Sequence, residues 1–187
     1  MGGRRPAGAV ASIQSSRYAA RMRRRPSPVG SPPPEVFTAP FLDPGELADD
    51  AITLRVEELH QANPAYGIVA SYAFAIHRRR DDARVGQISL RLSDAERFLL
   101  YYGQIGYGVD VMHRGHGYAS RAVRLLVPLA RRHAFPELWI TCGPENTASR
   151  RTCENAGFRF VEIVPVPVAY QGAGITGERC RYHLRLA

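Results

Sequence analysis

The sequence predicts an α/β domain with a mixed, mostly antiparallel central sheet flanked by helices, and three observations carry that reading. Residues 52–92 contain successive runs in which apolar and polar residues alternate. Residues 104–164 then read strand, helix, strand, helix, strand. A last alternating run sets Cys180, Tyr182, Leu184 and Leu186 against Arg179, Arg181, His183 and Arg185.

In chain order, Ile52–Val56 alternates as a short strand, and Ile68–His77 as a longer one with Tyr72, Phe74 and Ile76 on a common face. Glu57–Gly67 between them leaves room for one short helix. Asp81-Asp82 marks a turn into Val85–Leu92, and Ser93–Phe98 reads as a loop or a short helical turn. In 104–111, Ile105, Tyr107, Val109 and Val111 share one face of a strand. Ala119, Ala122, Val123, Leu126 and Ala130 recur at helical spacing, so 117–134 is an amphipathic helix with a kink or looser turns expected at Pro128. Leu138–Cys142 is a short buried strand. Asn146 is placed to cap a helix over 147–156 that closes on Gly157. Phe158–Val164 is a further strand, followed by a Pro- and Gly-rich stretch from Pro165 to Gly177.

Composition narrows the function. The net charge of +8 suggests a nucleic-acid binder until it is located: residues 1–34 hold seven arginines and no acid, leaving +1 for residues 35–187. That segment also carries the run Pro32-Pro33-Pro34 and is expected to be a disordered tail. It can be read as a transit peptide, as a basic arm, or as upstream sequence if the protein starts at Met22 or later. No apolar stretch approaches the about 20 residues needed to span a bilayer, so no membrane partner is expected. Three scattered cysteines without a C-x-x-C pair fit a reducing, cytoplasmic setting. His113 and His116 lack a second cluster with ligand spacing, so no metal is expected.

The richest stretch is 104–120, where a strand runs into Arg114-Gly115-His116-Gly117-Tyr118-Ala119-Ser120 and opens a helix. Unpaired N–H groups and the positive end of the helix dipole make such a turn a receptor for phosphate or pyrophosphate. Gly115-x-Gly117-x-x-Ser120 approximates a dinucleotide fingerprint, but Glu137 precedes the next strand where that motif wants an acid at its end. A P-loop is excluded, because the sequence has no lysine.

Arg114-x-x-Gly117-x-Ala119 resembles the (Gln/Arg)-x-x-Gly-x-(Gly/Ala) signature of the GCN5-related N-acetyltransferase (GNAT) superfamily. The segment from Asn146 through Ser149 and Cys153 to Gly157-Phe158 resembles its second motif. The likeness covers residues 104–163 and is closer to the ribosomal-protein-acetyltransferase-like branch. It implies the GNAT acyl-CoA N-acyltransferase fold and direct acetyl transfer from acetyl-CoA to a primary amine of a peptide or small molecule. The amides of Arg114, Gly115, His116, Gly117, Tyr118, Ala119 and Ser120 would hold the pyrophosphate. The strand edge at Val109 and Val111 would pair with the pantetheine arm where that strand splays from 138–142, and an N–H there would stabilise the oxyanion. Asn146 and Ser149 stand where the family contacts its cofactor.

Two positions depart from the family pattern. Cys153 replaces the usual tyrosine acid and Thr141 the usual glutamate base. Cys153 is therefore read either as the general acid or as a packed helix thiol. Glu57, Glu58, Asp110, Tyr101, Tyr102 and His116 are unranked candidates for a base. The departures keep a second reading open, a non-catalytic acyl-CoA-binding module. A third, a nucleic-acid-associated protein using the basic tail, conflicts with the near-neutral remainder. The acceptor wall is expected in the Pro165–Gly177 loop with Tyr170. A homodimer is possible through an edge strand at 179–186.

Overall fold

A computed structural model describes residues 40–172, 175 and 177–186. The tail expected at 1–34 lies outside the described residues. Eight strands and two longer helices follow in order: β1 (Leu47–Ala48), β2 (Ile52–His60), β3 (Ser71–Arg78), β4 (Arg84–Arg91), β5 (Ile105–Val109), α1 (Tyr118–Arg132), β6 (Glu137–Cys142), α2 (Thr147–Asn155), β7 (Arg159–Pro165) and β8 (Glu178–Arg185). They form two antiparallel sheets, ordered β1-β2-β3-β4-β5 and β6-β8-β7.

The alternation read from the sequence is the alternation of burial. Tyr72, Phe74 and Ile76 of β3 and Ile88 and Leu90 of β4 are buried in one core with Ala122, Val123, Leu126, Leu129 and Ala130 of α1. Helix α1 runs unbroken through Pro128, which is exposed, so the missing N–H faces solvent rather than the core. At the other helix, Asn146 Oδ1 accepts from the Ser149 N–H at 3.0 Å. Its far end closes with Phe158 N–H to the Cys153 carbonyl and Gly157 N–H to that of Glu154, with Gly157 at φ 91°.

The short helix expected in 57–67 does not form. Strand β2 continues to His60 through a bulge between Val56 and Glu58, paired with β3, and only a 3-10 turn at Pro64–Tyr66 follows. The β-branched and long side chains of 52–60 satisfy their backbone groups on a neighbouring strand instead. The terminal run is corrected too. Strand β8 lies between β6 and β7, so it is paired on both sides and is no edge; β6 and β7 are the outer strands of that sheet. Arg181, from the polar half of that alternation, is buried beneath the turn Phe98–Tyr102. Its guanidinium donates to the Leu99 carbonyl at 3.1 Å, pairs with Glu162 and lies 4.1 Å from the centre of the Trp139 ring.

The two sheets meet at Gln104. Its backbone N–H donates to the Trp139 carbonyl at 2.8 Å, its Oε1 accepts from the Trp139 N–H at 2.9 Å, and its Nε2 donates to the Ser93 carbonyl at 3.1 Å. Beside it, Gly103 stands at φ 70°, where a Cβ would lie 3.0 Å from the Thr141 backbone nitrogen. Past this apex β5 and β6 share no ladder and separate. Replacing buried Gln104 by leucine leaves the Trp139 N–H and the Ser93 carbonyl unsatisfied. We expect Gln104→Leu to lower unfolding free energy by about 2–4 kcal/mol in chemical denaturation.

Candidate functional site

The divergence of β5 from β6 opens a cleft of about 200 Å³ lined by Tyr102, Tyr107, Thr141, Cys142, Ser149 and Arg179, among others. Strand β5 pairs with β4 along one edge only, from Ile105↔Leu90 to Val109↔Gly86. Its other edge faces the opening. An edge of this kind offers N–H and C=O groups to an extended amide-bearing ligand.

Strand β5 ends at Val109, two residues earlier than the alternation suggests, because residues Val111–His113 turn as a 3-10 helix. Val111 is therefore outside the strand and 71% exposed. The Val109 carbonyl already accepts from Arg114 Nε at 3.1 Å. Gly115 and Gly117 follow at φ 82° and 74°, a left-handed pair that swings the chain into α1, with no atom within 4 Å of where a Cβ would stand at Gly115. No side chain caps this helix. The first-turn amides at Tyr118–Ser120 thus keep the dipole-aligned donors that suit a pyrophosphate, and the residues fit that group.

The side chains of the loop do other work. His116 Nδ1 donates to the Arg114 carbonyl at 2.8 Å and its ring stacks on Tyr118. Tyr118 is itself buried, leaving its backbone for a ligand, and the Ser120 hydroxyl donates to the Gly117 carbonyl at 2.9 Å.

At the cleft wall, Asn146 and Ser149 stand together at the start of α2 and both line the opening. Thr141, at the family's base position, donates its hydroxyl to the Tyr101 carbonyl at 2.7 Å and ties β6 to the 98–102 turn. Of the unranked base candidates, Tyr102 lines the cleft, whereas Glu57 pairs with Arg84 at 3.0 Å on the far reach of β2. Cys153 has no accessible surface and is missing from the lining.

Three cleft groups escape a reading of the sequence: Tyr107, Cys142 and Arg179. Tyr107 scans as an apolar strand position, yet its hydroxyl lies 2.8 Å from Ser149 Oγ and 3.7 Å from Cys153 Sγ. Burial pushes its phenol well above the ordinary range. Cys142 scans as the end of a buried strand. Its thiol is brought down to about 7, first by a hydrogen bond from the Cys153 thiol, then by Ser149 and the charges of Arg150 and Arg179, against the opposing effect of burial. The same pairing, reinforced by burial, drives the Cys153 thiol upward. A second deprotonation beside an existing thiolate is unfavourable.

Comparison with known proteins places this architecture. The family model described as acetyltransferase (GNAT) domain matches residues 34–159, and the chain belongs to that family. YjcK of Bacillus subtilis strain 168, named a probable N-acetyltransferase, is 39% identical over 106 residues. That match spans 54% of this chain and 55% of YjcK, so the chain covers about half the length of this curated relative. A proposed ribosomal-protein-serine acetyltransferase from Vibrio cholerae shares the fold at TM-score 0.56 and 18% identity, covering 77% of this chain and 99% of that one. So does RimL, a ribosomal L7/L12 α-N-protein acetyltransferase in complex with coenzyme A, at TM-score 0.54 and 15% identity over 75% and 97% of the two chains. No group of histidine, cysteine or acidic residues able to hold a metal occurs among the described residues. Nor is any helix among them long and apolar enough to cross a membrane.

The cysteine environments make a chemical prediction. Iodoacetamide should modify Cys142 before Cys153 or Cys180, with a rate that rises through a midpoint near pH 7 as the thiolate forms. Peptide mass mapping across pH checks both order and midpoint.

Proposed function

We propose that this protein is an acetyl-CoA-dependent N-acetyltransferase that moves the acetyl group directly to a primary amine. The observation that carries the reading is the free edge of β5, open on a cleft at Ile105–Tyr107 and followed in the chain by an uncapped helix N-terminus. A pyrophosphate at Arg114–Ser120 and an extended pantetheine along Val109 would lead the thioester into the cleft beside the hydrogen-bonded Tyr107–Ser149 pair. Val111, lying in the turn beyond the strand, would contribute through its backbone. Asn146 and Ser149 would border the arm from the α2 side. Acetyl-CoA enters as a substrate, supplying an activated acyl group.

The chain's own residues shape the acceptor end. Tyr102 lines the cleft and donates to the Tyr170 carbonyl at 3.1 Å, and Tyr101 stacks on the Tyr170 ring with centroids 5.2 Å apart. These contacts support the 165–177 loop as an acceptor wall. The α-amine of a polypeptide, with an ordinary pKa near 8, is partly neutral at physiological pH and needs no dedicated base. Ribosomal-protein N-termini are thus a chemically suitable class, in keeping with the fold shared with RimL. The three unpaired thiols support a reducing, cytoplasmic location.

Calorimetric titration of acetyl-CoA tests the cofactor site. Micromolar binding is expected for the wild type, and none for Gly117→Glu, which sets a carboxylate and a Cβ at φ 74° where phosphate charge should sit. No binding by folded wild type would overturn the reading. Tyr170→Ala should raise the KM for the amine at least about fivefold while leaving the acetyl-CoA Kd within about twofold, a split that steady-state kinetics and calorimetry resolve.

A further inference from the structure

We infer that the Tyr107 hydroxyl, rather than the Cys153 thiol, passes the proton to the departing coenzyme A sulfur, with Ser149 holding it in place. This rests on the acetyltransferase reading above and deepens it. Cys153 occupies the helix position where the family pattern carries a phenol, but it has no accessible surface and does not line the cleft. Tyr107 comes from the opposite side, from β5, and lines the cleft with its hydroxyl 3.7 Å from Cys153 Sγ. A phenol supplied by the strand thus reaches the neighbourhood of the helix position that lacks one.

The hydrogen bonds give the hydroxyl a defined role. Tyr107 has one proton and three neighbours: Ser149 Oγ at 2.8 Å, the Ser149 carbonyl at 3.2 Å and Cys153 Sγ. The carbonyl can only accept, so Tyr107 donates to it, which leaves the Tyr107 oxygen to accept from Ser149 Oγ–H while the Cys142 thiol is protonated. Ser149 is then both anchor and resupply route. Burial keeps the phenol protonated over the working range of an aminoacyl acceptor.

The step balances on these groups. The neutral amine attacks the thioester carbonyl carbon; a C–N bond forms and the C–S bond breaks, its electron pair staying on sulfur. As it does, the Tyr107 O–H bond breaks and an S–H bond forms. The surplus proton on the new amide nitrogen returns to the Tyr107 oxygen through the Ser149 hydroxyl. Thiol, amide and phenol all end neutral, and nothing further is consumed.

Tyr107→Phe and Cys153→Ala separate the two candidates. Each is measured for acetyl-CoA affinity by calorimetry and for coenzyme A release with a panel of primary amines including peptide N-termini. Tyr107→Phe should lower kcat about 100-fold or more while the acetyl-CoA Kd stays within about threefold, because only the transferred proton is removed. A Tyr107→Phe enzyme that turns over within threefold of wild type overturns the proposal. So does a comparable loss of kcat found on Cys153→Ala with Tyr107→Phe still active. Wild type that fails to bind acetyl-CoA removes the acetyltransferase reading and this inference with it. Wild type that binds acetyl-CoA but releases no coenzyme A with any amine also overturns the inference, while leaving the binding site standing.

Discussion

A buried glutamine decides where this sheet stops being one sheet. Gln104 replaces the continuation of a ladder between β5 and β6 with a local set of bonds: its backbone takes one Trp139 group and its side chain the other. A strand pair that went on past this point would fill the space now open as the cleft. Because the side chain, not the next backbone residue, meets the Trp139 N–H, the two strands are free to part immediately beyond. The third bond, to Ser93, fixes the glutamine itself. Gly103 allows the close approach this demands, and Thr141 anchors the far strand to the 98–102 turn. The position of the cleft, the free edge of β5 and the access to α2 all follow from that apex.

Much of the fold was legible because the larger sheet packs one face against α1, so burial period and sequence period coincide along β3, β4 and α1. The glycine turn and the Asn146 cap were legible for a different reason: their backbone geometries admit few residue types. What failed were inferences about neighbours. Nothing local in Glu57–His60 says that a strand partner continues there, and exposed Val56 just before it and Leu59 within it weaken the alternation that would have revealed it. Order within a sheet is a long-range property, so β8 looked like an edge when it is the centre.

The site was legible in part for the same reason. Gly117, Asn146 and Ser149 announce themselves through motif spacing, and the structure sets the latter two on the cleft wall. Tyr107 and Cys142 do not, because each sits in a strand where its type is expected for packing alone. Their chemistry comes from being brought together with Ser149 and Cys153, which lie 42 and 46 residues from Tyr107 in the chain and across the β6–α2 connection from Cys142. The pairing of thiols illustrates the point. An isolated cysteine would titrate near 8–9, and the Cys153 partner, Ser149 and the nearby guanidinium groups together outweigh burial to bring Cys142 below that value.

The unpaired side of β5 carries a hazard as well as an opportunity. An exposed strand edge invites any other strand to add to it, and proteins blunt such edges with charge, cover or curvature. Here the edge faces a cleft whose other side is lined by Thr141 and Cys142 of β6 and Ser149 of α2, and its last carbonyl is occupied by Arg114. A strand adding along the whole edge would have to share the cleft with β6 and α2 and displace the arginine from the last carbonyl. The feature that opens the candidate site thus also shelters part of an unpaired strand edge.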